Sequence, residues 1–108
     1  MPSDVYEDFA WTPTSNFTRV TVGTAPADGY VYVYAISRVY DGTKYLSIES
    51  GDFMTISNGG SGTSMDLSCM LFVNAGDSID IISDKLTNET PKCRFYYSVN
   101  SAKELGLI

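Results

Sequence analysis

Apolar and polar residues alternate along most of the chain with a period of two. The longest case is Tyr30-Val31-Tyr32-Val33-Tyr34-Ala35-Ile36, entered through a turn, Thr24 to Gly29, that carries Pro26 and Gly29. Successive strand side chains point to opposite sides, so Val31, Val33 and Ala35 share one face and Tyr30, Tyr32, Tyr34 and Ile36 the other. One packed sheet covers the valine side. Three tyrosines left in water form an aromatic patch unusual for a monomer, and a neighbouring subunit is the natural cover.

The same period recurs in both directions. Thr18 to Val22 alternates ahead of that strand. After it, Asp41-Gly42 is a turn signal that predicts a hairpin onto Lys44 to Ile48 with Leu46 and Ile48 inward, and Gly51-Asp52 turns the chain into Phe53 to Ser57. Met65 to Val73 sets Met65, Leu67, Cys69, Leu71 and Val73 against Asp66, Ser68, Met70 and Phe72. Asn74 to Asp77 turns into Ser78 to Ile82, with Ile79 and Ile81 inward, and Cys93 to Val99 puts Cys93, Phe95, Tyr97 and Val99 on one side.

Residues 1–17 read as an irregular arm with one short strand, interrupted by Pro13. Asn58 to Thr63, rich in glycine, reads as a flexible surface loop. Thr87 to Lys92 reads as a polar loop around Pro91, and Ser101 to Ile108 as a short helical turn or docked end. No 3.6-residue period of useful length exists. The prediction is an all-β chain of about seven or eight strands in an antiparallel β-sandwich of jelly-roll type, one domain over 18–108 behind the arm.

Composition narrows the function. Thirteen acidic residues against seven basic ones give a net charge of −6 over 108 residues, which repels phosphate backbones and anionic lipid, so no nucleic-acid partner is expected. No run approaches the roughly 20 apolar residues of a membrane span, and no export leader is read, so the chain is expected to be soluble without membrane insertion. There is no histidine, which removes Ser-His-Asp and Cys-His nucleophiles and the usual zinc sites together. Paired carboxylates remain for an acid-pair glycosidase, but Asp28, Asp41, Asp52 and Asp77 each adjoin a glycine and read as turn formers.

Asp77, Asp80 and Asp84 offer oxygens for a hard cation without any EF-hand spacing, and Gly59-Gly60-Ser61-Gly62 lacks the lysine of a phosphate cradle. No metal, cofactor or catalytic residue is therefore predicted. Cys69 and Cys93 read as two buried thiols at inward positions, with a bridge between them left open. Binding is what remains. Tyr40, Asp41, Lys44, Asn58 and Asn88, expected on loops at one end of the sandwich, combine ring stacking with hydroxyl hydrogen bonding and are the candidate ligand contacts. Tyr30, Tyr32, Tyr34, Met70 and Phe72 are the candidate subunit interface.

Ala25-Pro26, Asp28-Gly29-Tyr30 and the aromatic strand after them, followed by Leu71-Phe72-Val73 leading into Ala75-Gly76-Asp77-Ser78-Ile79 and closed by Arg94-Phe95-Tyr96-Tyr97-Ser98, form a pattern over roughly residues 20 to 99. It resembles C1q/TNF-like trimeric jelly rolls, and within them the C-terminal tip or knob domains of bacteriophage tail and head fibres. No collagen-like Gly-x-y segment precedes it, which favours the fibre-tip type. The resemblance implies a homotrimer with the tyrosine side toward its neighbours, on the surface of a virion, without enzymatic activity, binding a host cell-surface glycan or protein. The alternative it implies is a purely structural trimerisation cap or capsid decoration.

Overall fold

Among the residues that the computed structural model describes, 1–60, 62 and 64–108, the order is β1 (Pro2–Asp8), β2 (Thr18–Thr24), β3 (Gly29–Ser37), β4 (Lys44–Ser50), β5 (Phe53–Gly59), β6 (Met65–Val73), β7 (Ser78–Asp84), β8 (Thr87–Ser98) and α1 (Val99–Glu104). The antiparallel pairs nest: β1 with β8, β2 with β7, β3 with β6 and β4 with β5. Pairing of β3 with β8 and of β4 with β7 joins them into two four-stranded sheets, β1-β8-β3-β6 and β2-β7-β4-β5. One long hairpin has been rolled into two sheets, which is a jelly roll.

Alternation decides what lies between the sheets. Strand β3 reads buried and half-buried in strict turn, with Val31, Val33 and Ala35 fully buried. They meet Leu46 and Ile48 of β4, Ile79 and Ile81 of β7 and Phe95 of β8, all without exposure. Removing such a side chain from water contributes about 1.5–3 kcal/mol, so this layer sets the stability. Gly29 is required at the entry to β3, because a Cβ there would run into the Tyr96 carbonyl and the Phe95 ring.

Several expectations need correction. The stretch read as an arm with one short strand does hold one, β1, but it is part of the sandwich, an edge strand held to β8 with Tyr6 opposite Tyr96 and Asp8 opposite Arg94. Gly42 does make its turn, at φ 80°, but β3 and β4 belong to different sheets, so the link is a crossover and not a hairpin. The same holds for β6 and β7 across Asn74–Asp77, whereas β4 and β5 do form the hairpin at Gly51-Asp52. Thr87 to Lys92 is not a loop but the start of β8. It carries a bulge, because the step from Tyr34 to Ile36 on β3 faces the step from Lys92 to Thr87, and Thr90 takes a φ of 49° there.

Asn58 and Gly59 belong to the end of β5, where a Cβ on Gly59 would collide with the Met65 sulfur. Of the segment read as a flexible loop, Ser61 and Thr63 lie outside the described residues. The tail forms α1, capped by the Ser98 hydroxyl, which accepts from the Ser101 amide at 3.0 Å, and it buries Ala102 against the sandwich end. No described helix is long and apolar enough to cross a membrane.

Cys69 and Cys93 face Val33 from either side, one on β6 and one on β8. Two strand spacings separate their Cα atoms by roughly 10 Å, beyond the ~7 Å a disulfide spans, and both are free thiols. Burial pushes each thiol up to about 12.

Candidate functional site

The outer face of the β1-β8-β3-β6 sheet is built from the residues that alternation turns away from the core. Register carries one row across all four strands: Tyr6 opposite Tyr96, Tyr96 opposite Tyr30, and Tyr30 opposite Phe72. The ring centroids of Tyr6 and Tyr96 stand 5.5 Å apart, and those of Tyr30 and Phe72 5.4 Å apart and edge-on. The next row runs Asp8, Arg94, Tyr32, Met70. Arg94 lies 4.3 Å over the Tyr6 ring and 2.8 Å from Asp8, and hydrogen bonding to Tyr96 and then Asp8 holds its guanidinium firmly charged. Tyr34 follows in the third row, its phenol raised above the ordinary value first by burial and then by the Asp66 carboxylate.

All five predicted interface residues therefore sit on this one face. Met70 is 45% exposed and Phe72 36%. An open hollow of about 320 Å³ lies between the β1 segment Pro2 to Asp4 and the side chains of Tyr32, Met70 and Tyr96. The apolar surface does not stop at the sheet edge. Phe72 stacks edge-on against Phe53 at 6.0 Å across to β5 of the other sheet, and exposed Met54 and Ile56, opposite Glu49 and Ser47, form a separate apolar patch on the outer face of that strand.

The candidate ligand contacts are less united. Tyr40 and Asp41 lie exposed on the β3–β4 crossover, where the Tyr40 carbonyl accepts from the Gly62 amide at 2.6 Å, and Asn88 lies exposed on the β8 bulge. Arg38 ties that crossover to the bulge through Glu89 at 2.7 Å, a pairing that holds the Glu89 carboxyl below its ordinary range. Asn58 is exposed but turned onto the outer face of β5, opposite Tyr45. Lys44 is the correction. It shares the inward parity of Leu46 and Ile48, is fully buried, and its ammonium has no described hydrogen-bond partner, so no ligand on the surface meets it.

No protein family matches the chain, and no curated protein does.

Among the described residues no three His, Cys, Asp or Glu side chains converge as metal ligands. Asp77 sits in the β6–β7 turn, while Asp80 and Asp84 stand about 13 Å apart along β7, four residues on an extended strand. Asp80 is already engaged, accepting from the Thr21 hydroxyl at 2.6 Å. Tyr6 and Tyr96 complete the aromatic row of this face and are not among the residues read from the sequence. Tyr96 was legible, since it alternates with inward Phe95 and Tyr97, but Tyr6 lay in the stretch read as irregular.

Proposed function

We propose that the chain is a non-enzymatic assembly module: a homotrimeric tip domain of a phage fibre on the virion surface, joined through the tyrosine face and presenting its β3–β4 crossover and β8 bulge to a host cell-surface glycan. The observation that carries the assembly is the unbroken aromatic row Tyr6-Tyr96-Tyr30-Phe72, with Tyr32, Tyr34 and Met70 beside it. A face of this kind stays soluble by being covered. A second copy is the occupant, because the chain exposes two different apolar patches, the tyrosine face with Phe72 and Phe53 at its border and the Met54 and Ile56 patch on the outer face of β5. A two-fold dimer needs one self-complementary patch, whereas a closed ring of three needs two different patches that meet head to tail. The phage setting comes from the resemblance of residues 20 to 99 to fibre tips.

Three weak glycan sites on one rigid trimer gain avidity far above a single site. The structural-cap alternative is favoured by one observation, that Lys44 is buried and Asn58 turned aside, which leaves Tyr40, Asp41 and Asn88 alone at the tip. A glycan array separates the two. Binding that is lost in the triple variant Tyr40→Ala, Asp41→Ala, Asn88→Ala supports the receptor-binding tip, and an intact trimer that binds no glycan supports the cap.

A further inference from the structure

The outer face of the β2-β7-β4-β5 sheet holds a second feature, separate from the tyrosine face and from Tyr40, Asp41 and Asn88, with Asn58 opposite Tyr45 at its side. Phe17 precedes Thr18, which pairs with Ser83, so the Phe17 position comes beside Asp84, and Asp84 is opposite Tyr45 on the next strand. A carboxylate thus stands between two aromatic residues at the mouth of an open hollow of about 390 Å³, which Thr43, Arg19 and Glu49 also line. Phe17 is 63% exposed, so its ring is open to a ligand in the hollow.

Arg19 does not fill this hollow's aromatic end. It reaches along the face to Glu49 at 3.2 Å and Asp80 at 3.5 Å, and those carboxylates hold it charged and in place. None of the four ion pairs among the described residues includes Asp84.

We propose that this hollow is a binding subsite for one uncharged pyranose ring. A sugar ring presents an apolar face of C–H bonds and a rim of hydroxyls. Phe17 and Tyr45 supply flat apolar surfaces for the first, and Asp84 accepts short charge-assisted hydrogen bonds from the second. Concave sites of about 300–1,000 Å³ with a few convergent polar groups are the usual size for such ligands. Charge selects within the class. One guanidinium faces the three carboxylates Glu49, Asp80 and Asp84, so sialic and uronic acids are repelled. The subsite stands whether or not the chain is a trimer, and it lies apart from Tyr40, Asp41 and Asn88.

The test is an amide chemical-shift titration of the intact ¹⁵N-labelled chain with the methyl glycosides of glucose, galactose, mannose and N-acetylglucosamine, and with sialyllactose as the anionic arm. At least one uncharged glycoside should shift the amides of Phe17, Arg19, Tyr45 and Asp84 with a Kd of about 1–10 mM, as expected for one ring held by stacking and few hydrogen bonds. Tyr45→Ala should weaken that titration at least about tenfold while Tyr45→Phe keeps it, and Phe17→Ala, at an exposed position, gives the same weakening without risk to folding. Sialyllactose should shift none of these amides. Shifts confined to Tyr40, Asp41 and Asn88 would overturn the subsite while sustaining the loop-borne glycan site. No shift with any glycoside, an unaltered titration in a folded Phe17→Ala chain, or equal shifts with sialyllactose would overturn it as well.

Discussion

The two outer faces of the sandwich are made by the same alternation and could hardly differ more in chemistry. On the β1-β8-β3-β6 sheet the outward residues are aromatic across a whole row, Arg94 and Asp8 pair with each other against a ring, and Asp66 and Lys92 stand further along beside Tyr34. On the β2-β7-β4-β5 sheet the outward centre is a charge network of Arg19, Glu49 and Asp80, with apolar residues confined to the hollow around Phe17 and to the β5 edge. A solvated face needs nothing more than the second arrangement. The first loses free energy in water for every ring it exposes, and the proposed assembly rests on that difference.

The sharpest way to break the comparison is to place a carboxylate on each side of β3. Val33 is fully buried within the chain, so Val33→Asp should unfold the subunit, since an unpaired buried charge costs several kcal/mol against a total stability of roughly 5–15 kcal/mol. Tyr32→Asp should leave folded but dispersed chains, losing several kcal/mol per interface. A Tyr32→Asp variant that changes stability by no more than about 0.5 kcal/mol and keeps its oligomer would show the tyrosine face to be solvated like the other.

Between the faces, the weak point of the interior is Lys44. Replacing it with methionine keeps the length and removes a buried ammonium without a described partner, so Lys44→Met should stabilise the fold by about 1–3 kcal/mol and raise Tm. A loss of more than about 1 kcal/mol would mean that the ammonium is bound in solution. The inward thiols sharpen the same picture. With both raised to about 12, Cys69 and Cys93 should resist Ellman's reagent at pH 8 in the native state and both react after unfolding in urea. A native disulfide by mass spectrometry would contradict the register of β6, β3 and β8.

The smallest expected effect belongs to the exposed charges. Glu89 has its pKa lowered by Arg38, so its contribution to stability is full above the ordinary carboxylate range and disappears as pH falls through the lowered value. Arg38→Ala should therefore lower Tm slightly at pH 7 and not at all at pH 2.5. A difference that persists or grows in acid would show that Arg38 acts through something other than Glu89.

Much of this was legible because a period of two assigns sides without knowledge of the fold. The inward set Val31, Val33, Ala35, Leu67, Cys93, Phe95 and Tyr97, and the outward set Tyr30, Tyr32, Tyr34, Met70 and Phe72, follow from parity alone. Parity also puts Lys44 inward with Leu46 and Ile48, against the expectation from its charge that it stands on a surface loop. Turn chemistry is local and so marked Asp41-Gly42 correctly, but which strand β4 pairs with is settled by tertiary contacts. The polar, proline-bearing start of β8 forms a strand because β3 supplies its hydrogen bonds and a bulge absorbs the residues that do not fit. Phe17, Asp84 and Tyr45 are far apart in sequence, and only cross-strand register brings them together.

The central claim is that copies of this chain cover one another's tyrosine face, and light scattering on the purified chain at micromolar concentration tests it most directly. The account predicts a single species with the mass of three 11.8 kDa chains, about 35 kDa. A stable monomer of 11.8 kDa under those conditions would contradict it.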